Sequence, residues 1–210
     1  MTDETFDRNS WERRWARALR ESPEKLASRP PNAHLLAEIG DLRPGLALDA
    51  GCGHGSEAIW LATSGWRVTA VDFSGAGLAR GQAQPGADAV TWVQADVLSW
   101  SAPPASLDLV LVAYLHVAED DTRALLVRAV GWLRPGGRLL VLGHDVENIA
   151  SGVGGPQEPA ILHSVERLRP IADLLDVDRL EQVPRETPAG TALDTLLWGR
   201  RPARDAPSRR

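Results

Sequence analysis

The stretch ALDAGCGHGSEAIWLA at 47–62 sets an acid, Asp49, two positions before three alternating glycines, Gly51, Gly53 and Gly55, and then enters a helical pattern at once. Glycines at such a turn tolerate positive φ and let a ligand reach the backbone with no Cβ in the way. The amides that open the following helix point at whatever sits there. A second acid, Asp72, closes the run RVTAVD 17 residues beyond Gly55, near the roughly 20 expected of a carboxylate that holds ribose hydroxyls. Two further groups follow apolar runs: Tyr114 and His116 in AYLHVAED, and His144 with Asp145 in GHD. An imidazole with a pKa near ~6.5 can take a proton from a thiol, a phenol or an acid. Tyr114, His116 and His144 are therefore the candidate catalytic groups.

Elements that would carry these residues alternate along the chain. LALDA (46–50), RVTAVD (67–72), VTWVQ (90–94), LDLVLVAY (107–114) and RLLVLG (138–143) are strand-like runs. Helical patterns separate them: SEAIWLATS closed by Gly65, a glycine-interrupted stretch at 74–83, and DDTRALLVRAVGWL (120–133) ending at the turn RPGG. Such alternation requires crossover connections, hence a parallel sheet, and the continuous apolar character of LDLVLV and RLLVLG suits strands buried on both faces. Beyond it the spacing predicts a loop, ENIASGVGGPQEP, a helix near 163–175, and two strands, RLEQVP and ALDTLLWG. The short link around TPAGT makes those two antiparallel neighbours. Upstream, Asn9 and Glu12 form a capping-box pattern for a helix over 9–20 with Trp11 and Trp15 on one face. ESPEKLASRPP reads as a connector, and Asn32 caps a second helix through HLLAEI ended by Gly40.

The acid followed by GxGxG resembles motif I of class I S-adenosylmethionine-dependent methyltransferases. That resemblance implies a Rossmann-like α/β fold: a seven-stranded, mostly parallel sheet with an antiparallel last strand and helices on both faces. It assigns Asp49, Gly51, Gly53 and Gly55 to the cofactor S-adenosylmethionine, whose demethylated product is S-adenosylhomocysteine. Asp72 in VDFS matches the ribose-binding acid and Phe73 its adenine-contacting neighbour. Asp96 in QADV matches the acid that faces the adenine amino group, with Val97 beside it, and LRPGG (133–137) matches the turn before the fifth strand. The acceptor enters where Tyr114 and His116 lie. AYLH stands where nucleic-acid and protein-amide methylating branches carry an Asn/Asp-Pro-Pro-Tyr motif, which speaks against those substrates. The N-terminal tryptophans resemble the lid of small-molecule methyltransferases of the thiopurine, thiol and tellurite group, so Trp11 and Trp15 join Tyr114 and His116 as acceptor contacts. Docking of the lid helix on the core is an equal reading of the tryptophans. The expected organisation is a helical lid (1–40), a methyltransferase domain (41–200) and a flexible tail (201–210).

Two other readings stay open on the residues. A cofactor-binding module without catalysis would keep the same loop and acids. A nicotinamide-dependent reductase would need GxGxxG, whereas the third glycine here comes one place early, and Asp49 would oppose a pyrophosphate. Bulk properties narrow the rest. The 210 residues suit one domain with a substantial core. A net charge of -5 argues against a nucleic-acid partner, whose phosphates draw on basic surface. Neither an apolar run of membrane-spanning length nor a signal-peptide core is present, so no membrane partner and a cytoplasmic location are expected. A single cysteine, Cys52, fits a reducing compartment. Lys25 is the one lysine among 23 cationic residues, an arginine bias expected of a GC-rich bacterial genome. No Cys, His and carboxylate spacing suggests a metal. The expected partner is a small-molecule acceptor, and the expected assembly a monomer or homodimer.

Overall fold

The computed structural model describes residues 31–203. Trp11, Trp15 and the helix expected over 9–20 lie outside the described residues, as does the tail from 204 onward. The chain divides into two compact units, Met1–Trp100 and Ser101–Arg210.

The first unit alternates helix and strand: α1 (Ala33–Ile39), β1 (Leu46–Ala50), α2 (Ser56–Thr63), β2 (Arg67–Asp72), α3 (Gly75–Gln82) and β3 (Val90–Gln94). Asn32 caps α1 by accepting the amide of His34, and Ser74 caps α3 by accepting that of Gly77. The strands are parallel, with Asp49 opposite Ala70 and Ala70 opposite Trp92, which sets β2 between β1 and β3. Leu48, Ala50, Ala70 and Val71 are fully buried, as expected of parallel strands covered on both faces.

The second unit holds β4 (Leu107–Ala113), α4 (Glu119–Trp132), β5 (Leu133–His144), α5 (Asn148–Ser151), α6 (Val165–Ala172), β6 (Asp176–Thr187) and β7 (Gly190–Arg200). β4 and β5 are parallel, while β7 runs antiparallel to both β5 and β6 and lies between them. The seven strands make a Rossmann-like, mostly parallel sheet in which β7 alone is reversed. LRPGG, expected as a turn ahead of the fifth strand, is instead the bulged start of β5. Pairing jumps from Leu107↔Leu133 to Leu109↔Arg138, with Gly136 at φ 81° in the excursion. The stretch 147–159, expected as loop, contains the single turn α5. Arg201 donates to the carbonyls of Val130, Gly131 and Leu133, satisfying the C-terminal end of α4. Among the described residues no helix is long and apolar enough to cross a membrane.

Candidate active site

The glycine loop of the first unit turns sharply between β1 and α2. Gly51, Gly53 and Gly55 have φ of 78°, 56° and 71°, a region that disfavours any side chain. The amides of Gly51 and Cys52 donate to the carbonyl of Val71, and Asp72 finishes the tie. Its Oδ2 accepts the amide of Gly53 and its Oδ1 that of Ser74, both at 2.8 Å. The acid read as a sugar ligand is thus also the clamp that holds the loop against β2.

The three glycines do not share one purpose. A Cβ on Gly55 would lie 2.2 Å from the Trp92 indole, and one on Gly81 in α3 would meet the same ring at 2.6 Å. The missing side chain of Gly55 makes room for Trp92. His54 is buried and in hydrogen-bond contact with the Ser56 hydroxyl at 3.0 Å. Cys52 is buried too, and burial pushes its thiol pKa up. Asp96 accepts the amide of Leu98 in a turn after β3, and Val97 is buried beside it. Phe73 is half-buried next to Asp72.

Asp49 is the electrostatic anomaly of this unit. It is 2% exposed at the end of β1, and its Oδ2 has no hydrogen-bond partner. Burial pushes the carboxyl well above the usual carboxylate range. Glu57 and Asp72 raise it further, and the backbone amide of Ala58 opposes them. Three carboxylates crowd one loop, and a cation placed there would stabilise all three.

The second unit gathers Tyr114, His116 and His144. The rings of Tyr114 and His144 lie 5.1 Å apart, and those of His116 and His144 stack at 5.4 Å with 16° between planes. Tyr114, at the end of β4, is held at φ 54° by its amide, which donates to the Leu142 carbonyl, and by its hydroxyl, which donates to Asp194 at 2.6 Å. A non-glycine residue in that region stores strain and commonly marks a working site.

Sequence reasoning missed the centre of this cluster. Asp194 on β7 is fully buried and stands opposite His144 in the ladder. Arg185 of β6 donates to it from Nε at 2.7 Å, and His144 Nδ1 lies 3.2 Å from its Oδ1. Burial opposes its charge, but the contacts from His144, Arg185 and Tyr114 prevail and hold its pKa down to about 2. The available signal was an acid inside the otherwise apolar run ALDTLLWG. Asp145 is spent structurally: it accepts the Thr195 hydroxyl at 2.6 Å and the Glu147 amide. His163 precedes α6. It is buried against Gly143, with Nε2 unpartnered and its pKa lowered to about 4, mainly by burial.

A β1–glycine loop–α2 turn clamped by the acid of β2, on a mostly parallel sheet whose seventh strand is reversed, is a Rossmann-like methyltransferase fold. Residues 47–137 are recognised as a methyltransferase domain. The chain is 37% identical over 107 residues to an uncharacterized methyltransferase of Mycobacterium tuberculosis, an overlap covering 50% of this chain and 54% of that protein. It is 27% identical over 148 residues to the Arabidopsis thaliana protein named "Probable thiol methyltransferase 2", covering 68% of this chain and 64% of that one. The chain thus spans about half the length of the first of these relatives. Among solved structures it is similar to the Burkholderia thailandensis 1,6-didemethyltoxoflavin-N1-methyltransferase, with a TM-score of 0.64 and 23% identity over 91% of this chain and 87% of that one. That crystal structure holds 1,6-didemethyltoxoflavin and S-adenosylhomocysteine.

Proposed function

We propose that this protein transfers a methyl group from S-adenosylmethionine to a small molecule through a sulfur, oxygen, nitrogen or chalcogen nucleophile. The observation that carries the reading is Asp49, a buried carboxylate with an unpartnered oxygen in the field of Glu57 and Asp72. A sulfonium nucleoside with an α-ammonium group suits such a loop, whereas the pyrophosphate of a nicotinamide dinucleotide would be repelled by it. The donor supplies a methyl group already activated by the positive sulfur. What is asked of the protein is alignment and control of the acceptor's proton.

In this reading Asp49, Gly51, Gly53 and Gly55 hold the amino-acid end of the donor. Asp72 and Phe73 take its ribose and adenine, and Asp96 and Val97 its adenine edge. Tyr114, His116 and His144 serve the acceptor, with Trp11 and Trp15 of the 1–40 segment as its cover. A small acceptor and a cytoplasmic setting accord with the acidic surface charge and with the named activities of the thiol and toxoflavin methyltransferases to which the chain is similar. Assembly as monomer or homodimer belongs to the same proposal.

Titration calorimetry tests it. S-adenosylmethionine and S-adenosylhomocysteine should bind in the micromolar range, about 8 kcal/mol at 1 μM, and reduced dinucleotide should not. Absence of heat with both sulfur ligands would end the proposal.

A further inference from the structure

We propose that Asp194 is the positioning residue of the acceptor site, setting His144 to receive the proton of an acceptor that arrives as a weakly acidic X–H, a thiol or phenol-type hydroxyl. The inference rests on the methyltransferase reading and names the acceptor class for it.

Charge balance gives the argument. Asp194 accepts from the Tyr114 hydroxyl at the end of β4 and from Arg185 on β6, and His144 Nδ1 of β5 lies 3.2 Å from its Oδ1. The guanidinium already neutralises the carboxylate, so a second cation is not needed there. His144 Nδ1 is buried 3.2 Å from Asp194 Oδ1, outside hydrogen-bond geometry, and a proton on Nδ1 is the one this acid can draw toward itself. That tautomer leaves the lone pair on Nε2. The side chain is 13% exposed although Nδ1 is buried, so its open surface lies elsewhere on the side chain.

Packing fixes the ring plane. A Cβ on Gly155 would lie 3.1 Å from three separate imidazole carbons, so this residue of the 152–158 loop covers a ring face with bare backbone. His116 stacks parallel to the same ring. The other titratable or charged groups around His144 are Tyr114, Arg185, Asp194, Asp145 next to it in sequence and His163 ahead of α6. Because Asp194 and Arg185 cancel, the cluster offers no net attraction to an acceptor that is already an anion.

The step balances simply. As X bonds to the methyl carbon and the carbon–sulfur bond breaks with its pair left on sulfur, the X–H proton passes to His144 Nε2. The imidazolium is held by Asp194 until the proton reaches water.

The test uses the full chain. In ¹⁵N spectra of the imidazoles, the signals lost in His144→Gln identify His144, which should be the Nδ1–H tautomer and should lose that preference in Asp194→Asn. Against a panel of thiols, phenols and the preformed anions thiocyanate and iodide, both variants should lose about 100-fold or more in turnover of X–H acceptors. They should also lose the acidic limb of the rate–pH profile, while calorimetric affinity for S-adenosylhomocysteine is kept. An Nε2–H tautomer in the wild type overturns the inference, as does wild-type turnover of thiols by His144→Gln, or turnover of the anions alone. The tautomer decides even if Asp194→Asn does not fold or no panel member reacts. A wild-type protein that binds neither sulfur ligand would instead defeat the methyltransferase reading itself.

Discussion

Alanine at Gly55 isolates what that glycine is for. The backbone there has φ 71°, and a methyl group would lie 2.2 and 2.6 Å from two carbons of the Trp92 ring. The indole is held on two sides. Gly81 is packed on the same ring, and Trp92 Nε1 is tethered to the carbonyl of Ala87 at 3.0 Å. A left-handed alanine costs roughly 1–2 kcal/mol, and overpacking a tethered aromatic adds about 1–3 kcal/mol. Gly55→Ala should therefore lose about 2–5 kcal/mol, a large part of the 5–15 kcal/mol typical of a domain. Urea unfolding followed by far-UV circular dichroism measures it. In a Trp92→Leu background the packing share should vanish and leave only the backbone share, a coupling that a double-mutant cycle reads directly. A loss under about 0.5 kcal/mol, or an equal loss in both backgrounds, would refute the packing account. Donor affinity falling while stability holds would return Gly55 to ligand contact.

His163 makes stability depend on acid. Its pKa falls from 6.5 to about 4 on folding, so the native state resists protonation there. Its contribution is complete above pH 6.5 and drains away as pH drops toward 4. About 3 kcal/mol is at stake over that window, and urea titrations at pH 7 and pH 4 should show the loss in the wild type but not in His163→Gln. Asp72→Ala strips the Gly53 and Ser74 amides of their acceptor. It should cost about 1–3 kcal/mol and sharply weaken S-adenosylmethionine binding in calorimetry. His116→Ala should keep donor binding and slow methyl transfer, by about tenfold or more, in a radiolabelled-methyl assay; unchanged turnover would remove His116 from the acceptor site.

The first unit was legible because its signals are local. An apolar run, a glycine loop and a helix start are contiguous from 46 to 63, and Asp72 ends the next strand. The reversed β7 was legible too, since the short link around TPAGT permits only antiparallel neighbours. What stayed hidden was made by distant pairing. Nothing near Gly55 announces that Trp92 fills its missing side chain. Arg185 and Gly155 sit in unremarkable polar and loop sequence, and only the sheet register brings Asp194 beside His144. The proline–glycine bulge at the start of β5 was read as a turn, because a bulge and a turn share the same residues.

Insertion of β7 between β5 and β6 also fixes when the acceptor cluster can come into being during synthesis. A ribosome-bound chain that has emerged through β6 already carries Tyr114, His144 and Arg185, yet lacks the carboxylate that orders them. A hairpin zipped one residue out of step would offer Leu193 or Thr195 in its place and turn Asp194 to the opposite side of the sheet. The assembled carboxylate cluster is in that sense a proofreading mark of the finished fold, absent from every shorter or misaligned form of the chain.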